Sequence, residues 1–124
     1  MDETILVVDD ELFPRAFARD ALLTCGYTVL DTEEPQEALQ IIRDQPVHLL
    51  VVDVVMPTMR GTVLADRAQA IRPLIKVLLV SGYPTSGIGP SGRPFLAKPF
   101  TIEALANAVR DLLAPALARR KPGD

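Results

Sequence analysis

Short apolar runs rich in β-branched residues alternate along the chain with segments of helical periodicity. The apolar runs predict five strands, whose sequences are ETILVVDD, YTVLD, HLLVVD, LIKVLLV and PFLAK. Apolar positions three or four residues apart predict helices over residues 13–25, 36–45, 62–72 and 102–113. The pattern therefore predicts a regular alternation of strands and helices.

The composition of the strands indicates what kind of sheet they form. Because they are nearly continuous runs of Val, Leu and Ile, both faces of the sheet should be covered by helices. Strands that alternate with helices favour a mostly parallel sheet, so we predict a doubly wound α/β domain of the (βα)5 type.

One segment departs from this regularity. Residues 82–93, GYPTSGIGPSGR, separate the fourth and fifth strands and contain four Gly and two Pro. In a helix interior each Gly costs about 1 kcal/mol and each Pro about 3 kcal/mol. The fourth helix, between these strands, is therefore predicted to be short or missing.

Residues that start or stop helices support the predicted boundaries. Gly26 follows the first helix where glycine is favoured, and Pro46 and Pro73 follow the second and third helices. Thr101 is a suitable N-cap for the last helix, which Pro115 should end. We predict one domain over residues 1–118 and a flexible basic tail over 119–124, with no output domain.

Length, charge and cysteine content narrow the classes of function. With 124 residues, of which 48% are hydrophobic, the chain should form a single compact domain. A net charge of -3 and a pI near 5.1 argue against direct binding of nucleic acid, which needs a basic surface. The single cysteine and the lack of a leader or an apolar span favour a cytoplasmic protein that does not contact membranes.

Polar residues of complementary chemistry follow four of the predicted strands. They are Asp9 and Asp10 after the first strand, Asp53 after the third, Ser81 after the fourth and Lys98 after the fifth. Because the carboxyl ends of parallel strands share one edge of a sheet, these side chains should meet in one crevice. Three carboxylates there repel one another unless a pKa rises or a cation such as Mg²⁺ binds. Lys98 and Ser81 could then contact the oxygens of a phosphoryl group on Asp53.

Four motifs lie on these strand ends in a distinctive order: ILVVDDE, VVDVVMPTMRG, LLVSGYP and FLAKPF. Through them the chain resembles the receiver domain of bacterial two-component response regulators, from residue 5 to about residue 113. The resemblance implies a flavodoxin-like strand order of 2-1-3-4-5. It also implies a single-domain phosphoacceptor that switches a protein-interaction surface.

The resemblance gives each strand-end carboxylate a role. Asp53 would be the phosphoacceptor. Asp10 would be the main metal carboxylate, with Asp9 beside it. The backbone carbonyl of Val55 would be a further ligand of Mg²⁺ or Mn²⁺.

The resemblance also implies a switch. Ser81 would be the switch hydroxyl and Lys98 the phosphate-binding lysine, with a cis peptide bond between Lys98 and Pro99. Phe95 matches the aromatic residue of the fifth strand that moves when the hydroxyl turns toward the phosphoryl group.

The resemblance further implies that the side chains of Val55 and Tyr83 would influence the attacking water in dephosphorylation. Neither is a good general base, so we expect slow self-dephosphorylation and no turnover of an external substrate. The implied partner is a sensor histidine kinase or a phosphotransfer protein. The output would be a downstream protein or a homodimer.

Three other readings of the residues are weighed against this one. A Mg²⁺-dependent phosphohydrolase would need a second acid two residues after its nucleophile, where this chain has Val55. A nucleotide-binding domain would have a glycine-rich first loop, where this chain has DDELFP. A non-phosphorylated docking module remains open on fold alone, but every residue needed for phosphorylation is present.

Two reactive side chains are predicted to have structural roles only. His48, at the start of the third strand, lies at the opposite end from Asp53 and is expected to be partly buried without catalytic or metal function. Cys25, beside Gly26, is expected to fill a small space in the core.

Overall fold

The computed structural model of the chain describes residues 3–82 and 92–114. In this part of the chain, five parallel strands form one sheet with the order β2-β1-β3-β4-β5. The strands are β1 (Thr4–Val8), β2 (Thr28–Thr32), β3 (Leu49–Asp53), β4 (Lys76–Ser81) and β5 (Phe95–Ala97). The predicted α/β class and strand order are confirmed.

Four helices in the described residues cover the sheet: α1 (Leu12–Thr24), α2 (Pro35–Asp44), α3 (Gly61–Ile71) and α4 (Ile102–Leu113). Each begins and ends within one residue of its predicted bounds. The predicted short or missing helix between β4 and β5 falls mainly on residues 83–91, outside the described residues. Pro115 and the predicted basic tail also lie outside them. None of the described helices is long and apolar enough to cross a lipid bilayer.

The apolar residues of the sheet form two clusters, one on each face, because successive side chains of a strand point to opposite sides. The cluster under α2 and α3 includes Leu6, Val8, Leu50, Val52, Leu79 and Phe95. The cluster under α1 and α4 includes Ile5, Val7, Leu49, Val51, Leu78 and Val80. All five residues of β3 are buried. Burial of each large side chain stabilises the fold by about 1.5–3 kcal/mol, so the central strand is a firm support for Asp53 at its end.

Two of the predicted helix boundaries are confirmed in detail. The hydroxyl of Thr101 accepts a hydrogen bond of 3.0 Å from the backbone N–H of Ala104, which makes Thr101 the N-cap of α4. Gly26 follows α1 with a φ of 96°, a conformation that glycine adopts without strain.

The predictions of burial for Cys25 and His48 were wrong, since both residues are exposed. Cys25 lies just beyond the end of α1, past the helix's last buried residue, Leu22. His48 precedes β3, and its ring lies outside the sheet, where Nδ1 accepts a hydrogen bond from the backbone N–H of Thr4.

Candidate functional site

The predicted site residues lie together at the carboxyl edge of the sheet, a name used here for Asp9, Asp10, Asp53, Ser81 and Lys98. Asp53 and Ser81 end β3 and β4, while Asp9 and Lys98 directly follow β1 and β5. Three of these polar residues are buried, with exposed fractions of 3% for Asp9, 6% for Asp53 and 2% for Ser81. Polar groups are seldom buried without partners, so the contacts at this edge carry information about function.

The carboxylates form one compact cluster. Asp9, Asp10 and Asp53 each offer an oxygen within 4.8 Å of the oxygens offered by the other two. The ammonium group of Lys98 donates a hydrogen bond of 2.7 Å to Oδ2 of Asp9 and lies 3.3 Å from Oδ1 of Asp53. Within the described residues, Lys98 is thus the one cation whose side chain pairs with these carboxylates, and the cluster carries a surplus of negative charge.

Burial has the largest effect on the protonation of Asp53. Burial raises the pKa of Asp53 to about 6; Lys98 opposes that rise, whereas Asp9 adds to it. Burial alone would lower the pKa of Lys98, but its hydrogen bonds and ion pairs with Asp9 and Asp53 raise the pKa above its ordinary value. Lys98 is therefore a permanent cation at neutral pH, while Asp53 ionises within the physiological range.

The donor set fits a hard divalent cation. Carboxylate oxygens are the ligands that Mg²⁺ and Mn²⁺ prefer, and a cation would offset the charge that Lys98 leaves unbalanced. Asp9, Asp10 and Asp53 would hold it. The side chain of Val55, whose backbone carbonyl is the fourth predicted ligand, is exposed beside the cluster.

A cavity of about 380 Å³ opens directly above Asp53 and is also lined by Val55, Ser81 and Lys98. Its size suits a group larger than a single ion. The backbone N–H of Lys98 donates a hydrogen bond of 2.7 Å to the Ser81 carbonyl, which ties the ends of β4 and β5 together. The Lys98–Pro99 peptide bond is cis. Tyr83, the other residue predicted to influence the attacking water, is outside the described residues.

Gly61 supports the site in a way that the sequence analysis missed. A Cβ atom at Gly61 would lie 2.2 Å from the backbone oxygen of Asp53, closer than any real contact. The first residue of α3 therefore packs directly against the backbone that carries Asp53. The Gly61 N–H also donates a hydrogen bond of 2.9 Å to the carbonyl of Val54. A glycine at the start of a helix signals nothing unusual by itself, because the close approach comes from the fold.

Arg15 was also missed. Its guanidinium donates a hydrogen bond of 2.9 Å to the backbone carbonyl of Asp9 and forms a salt bridge of 3.0 Å with Asp31 of β2. No short motif links residues 9, 15 and 31, since they come from a strand end, a helix and a neighbouring strand.

Phe95, the predicted switch aromatic, is 8% exposed and belongs to the cluster under α2 and α3. It pairs with Leu79, and two residues further along the same strands Ser81 pairs with Ala97. Side chains two residues apart on a strand share a face. Phe95 and Ser81 therefore lie on the same side of the sheet.

A doubly wound sheet with clustered carboxylates and a lysine at its carboxyl edge defines a receiver-type domain. The family model of the response regulator receiver domain matches residues 5–110. The chain belongs to this family and is thus a response regulator receiver domain of two-component systems.

Two curated relatives show the range of proteins that contain such a domain. The chain is 33% identical to the response regulator receiver protein CpdR of Brucella abortus over 90% of this chain and 98% of CpdR. It is 37% identical to the sensor kinase CckA of the same organism over 89% of this chain but only 12% of CckA. The match thus includes both a protein of similar length and one segment of a much longer kinase.

Solved structures agree with this assignment. The crystal structure of the receiver domain from the hybrid histidine kinase CckA superposes with a TM-score of 0.79 at 34% identity, over 90% of this chain and 99% of that one. The chemotaxis protein CheY4 of Vibrio cholerae superposes with a TM-score of 0.80 at 25% identity, over 91% and 100% of the two chains.

Proposed function

We propose that this domain accepts a phosphoryl group on Asp53 from a histidine of a sensor kinase or a phosphotransfer protein. The observation that carries the proposal is the cluster of Asp9, Asp10 and Asp53 with Lys98, below a cavity that is open to solvent. We place the reaction in the cytoplasm, with Mg²⁺ or Mn²⁺ held by the three carboxylates and the backbone carbonyl of Val55.

The transfer uses Asp53 as its nucleophile. A carboxylate with a pKa of about 6 is mostly ionised at neutral pH and can attack phosphorus. A bond forms between an Asp53 oxygen and phosphorus while the phosphorus–nitrogen bond of phosphohistidine breaks. The electron pair stays on the departing nitrogen, and the imidazole leaves neutral with a proton on its other nitrogen.

The other residues of the carboxyl edge stabilise the charge of the transferred group. When bound, the divalent cation would offset negative charge on the phosphoryl oxygens. Lys98 already lies 3.3 Å from Oδ1 of Asp53, so its ammonium group can contact a phosphoryl oxygen after a small movement. Ser81 lines the same cavity, and its hydroxyl would donate a hydrogen bond to another phosphoryl oxygen.

The signal would pass from this edge to the protein surface. When Ser81 turns toward the phosphoryl group, Phe95 would move into the space released on the shared face of the sheet, a local change of packing that biases a two-state surface. That surface would bind a downstream protein or a second copy of the domain.

The phosphoryl group would be retained rather than turned over. Val55 is exposed beside the cavity and has no group that could orient or deprotonate water. Tyr83, the other residue predicted to influence water, is also a poor base. The domain would thus promote its own phosphorylation and slow dephosphorylation without acting on an external substrate.

Labelling with radioactive phosphate tests the proposal. The wild type is incubated with Mg²⁺ and either a phosphorylated histidine kinase or a small acyl phosphate, and the label should be stable to acid and sensitive to hydroxylamine. Asp53→Asn should lose the label. Asp66→Asn, which changes an exposed carboxylate on α3, should keep it.

Two results would overturn the proposal. Equal labelling of the wild type and Asp53→Asn would place the acceptor on another residue. If no donor labelled the wild type, the domain would instead be a non-phosphorylated docking module.

A further inference from the structure

We propose that Arg15 is a positioning residue for the metal site, because its guanidinium bridges the Asp9 carbonyl and the Asp31 carboxylate and thereby sets the direction of the peptide that leads to Asp10. This inference rests on the proposed function, since it concerns the carboxylates that would hold the cation.

The contacts of Arg15 are directional and shielded from solvent. One guanidinium nitrogen, Nη1, donates a hydrogen bond of 2.9 Å to the Asp9 carbonyl, while Nε lies 3.0 Å from Oδ2 of Asp31. The Arg15 side chain is only 12% exposed and that of Asp31 23%. The planar guanidinium can hold both partners at once, so β2 anchors the arginine and the arginine anchors the turn after β1.

Every other polar atom of Asp9 also has a hydrogen-bond partner. Its N–H donates a hydrogen bond of 3.3 Å to the Thr32 carbonyl. Its Oδ1 accepts a hydrogen bond from the N–H of Glu11, and its Oδ2 accepts one from Lys98. The Asp9 carbonyl completes this set, and Arg15 is its partner.

Asp10 depends on this arrangement more than Asp9 does. The Asp9 carbonyl and the Asp10 N–H belong to one planar peptide unit, so the orientation of the first determines the orientation of the second. Within the described residues, the Asp10 side chain makes neither a hydrogen bond nor a salt bridge, although one of its oxygens lies in the carboxylate cluster. Its place in the cluster therefore depends on the backbone that Arg15 holds.

Charge alone predicts the opposite effect of losing Arg15. Removing a cation near three carboxylates would strengthen the binding of Mg²⁺ by electrostatics. If Arg15 positions Asp10, its removal should instead weaken Mg²⁺ binding, because the ligand is no longer held in place. The sign of the change in affinity separates the two roles.

The experiment is a calorimetric titration of the full chain with Mg²⁺ alone. Arg15→Gln should raise the dissociation constant about tenfold, the lower end of the range for residues that orient metal ligands. Arg15→Lys keeps the charge, but an ammonium group cannot bridge both partners as the planar guanidinium does. Its affinity for Mg²⁺ should therefore fall about threefold. Asp31→Asn should also weaken Mg²⁺ binding. In the double variant of Arg15→Gln and Asp31→Asn, the loss of binding free energy should be smaller than the sum of the two single losses.

Arg19→Gln is the matched control. Arg19 lies on the same helix and is 3.7 Å from Asp31, but it makes no contact with Asp9. Its removal tests the loss of charge without the loss of the bridge, and the affinity for Mg²⁺ should stay the same or increase slightly.

A second readout needs no metal. In the presence of EDTA, the amide of Glu11, which donates a hydrogen bond of 2.9 Å to Oδ1 of Asp9, should exchange its hydrogen faster in Arg15→Gln than in the wild type, while amides in the middle of β3 should keep their protection. A general loss of stability would speed up both. If Arg15→Gln failed to fold, Arg15→Lys and Asp31→Asn would decide the question by the same measurements.

The failures of the two proposals are distinguishable. Unchanged or tighter Mg²⁺ binding in Arg15→Gln, with a wild type that binds normally, would overturn the role of Arg15 alone. A wild type that binds no Mg²⁺ would overturn the metal site itself and with it the role of Arg15.

Discussion

The two ends of the sheet satisfy their polar groups in different ways. At the amino edge, defined as Thr4, His48 and Lys76, backbone groups pair with one another: the N–H of His48 donates to Thr4 and the N–H of Lys76 to His48, each at 2.9 Å. The His48 ring completes this pairing by accepting a hydrogen bond of 2.9 Å from the Thr4 N–H. At the carboxyl edge, buried carboxylates instead outnumber the nearby cation.

This difference shows which end of the sheet can bind or react with another group. The amino edge is a set of mutual hydrogen bonds that needs no further partner. The carboxyl edge has fixed positions but unbalanced charge, and its imbalance can be relieved by a cation or altered by phosphorylation.

The tightest packing at the carboxyl edge is between Gly61 and Asp53. Gly61→Ala should lower the free energy of unfolding by about 3 kcal/mol, because the new methyl group meets backbone that cannot move aside cheaply. Urea denaturation measures the change. Gly82→Ala is the matched control, since a Cβ there meets no atom of the described residues within 4 Å, and it should change stability by less than about 0.5 kcal/mol. Equal effects of the two substitutions would contradict the close approach.

Burial of its carboxylate should make Asp53 a destabilising residue at neutral pH. Its pKa rises from 3.8 in the unfolded chain to about 6 in the folded domain. The folded state therefore binds the proton more tightly, and stability falls as the pH rises from about 4 to above 6. Asp53→Asn in EDTA should raise the free energy of unfolding by roughly 1–3 kcal/mol at about pH 7.5.

The pH dependence of that gain is its signature. The gain from Asp53→Asn should shrink toward zero below about pH 3, where Asp53 is protonated in both states. Asp20→Asn changes an exposed carboxylate on α1 and should shift stability by less than about 1 kcal/mol at either pH. A gain in the free energy of unfolding that stayed constant across the pH range would mean that the pKa of Asp53 is not raised by folding.

The exposed Val55 should limit loss of the phosphoryl group. Val55→Asn supplies an amide that can hold a water molecule near phospho-Asp53. Hydrolysis of phospho-Asp53 should become about fivefold faster, which corresponds to an activation free energy lower by about 1 kcal/mol. The decay of radioactive label measures it. Val63→Asn, an exposed valine on α3, is the control and should leave decay unchanged. Identical decay in wild type and Val55→Asn would remove the support for this role of Val55.

The smallest effect is expected at the amino edge. His48→Ala removes the acceptor of one exposed hydrogen bond, and water can replace it, so stability should fall by about 0.5–1 kcal/mol. Phosphorylation of Asp53 should proceed at the wild-type rate. Slower phosphorylation of His48→Ala would show that the two edges are coupled and would contradict the contrast between them.

Much of the fold was predictable from local patterns. Apolar strands, helical periodicity and end signals such as Thr101 and Gly26 depend on neighbouring residues, and the structure confirms them. The positions of Asp9, Asp53 and Lys98 were also predictable, because parallel strands bring their carboxyl ends to one edge. Burial at the ends of elements was harder to predict, and Cys25 and His48 are both exposed.

Residue type and spacing along the chain set the order of strands and helices, the residues at the strand ends and the surplus of acidic groups there. How that surplus is held depends instead on packing between elements that are distant in the chain. Arg15 reaches Asp9 and Asp31 across three elements, and Gly61 meets the backbone of Asp53 across a loop. Such contacts depend on how packed elements approach one another in space, and no local pattern along the chain encodes that distance.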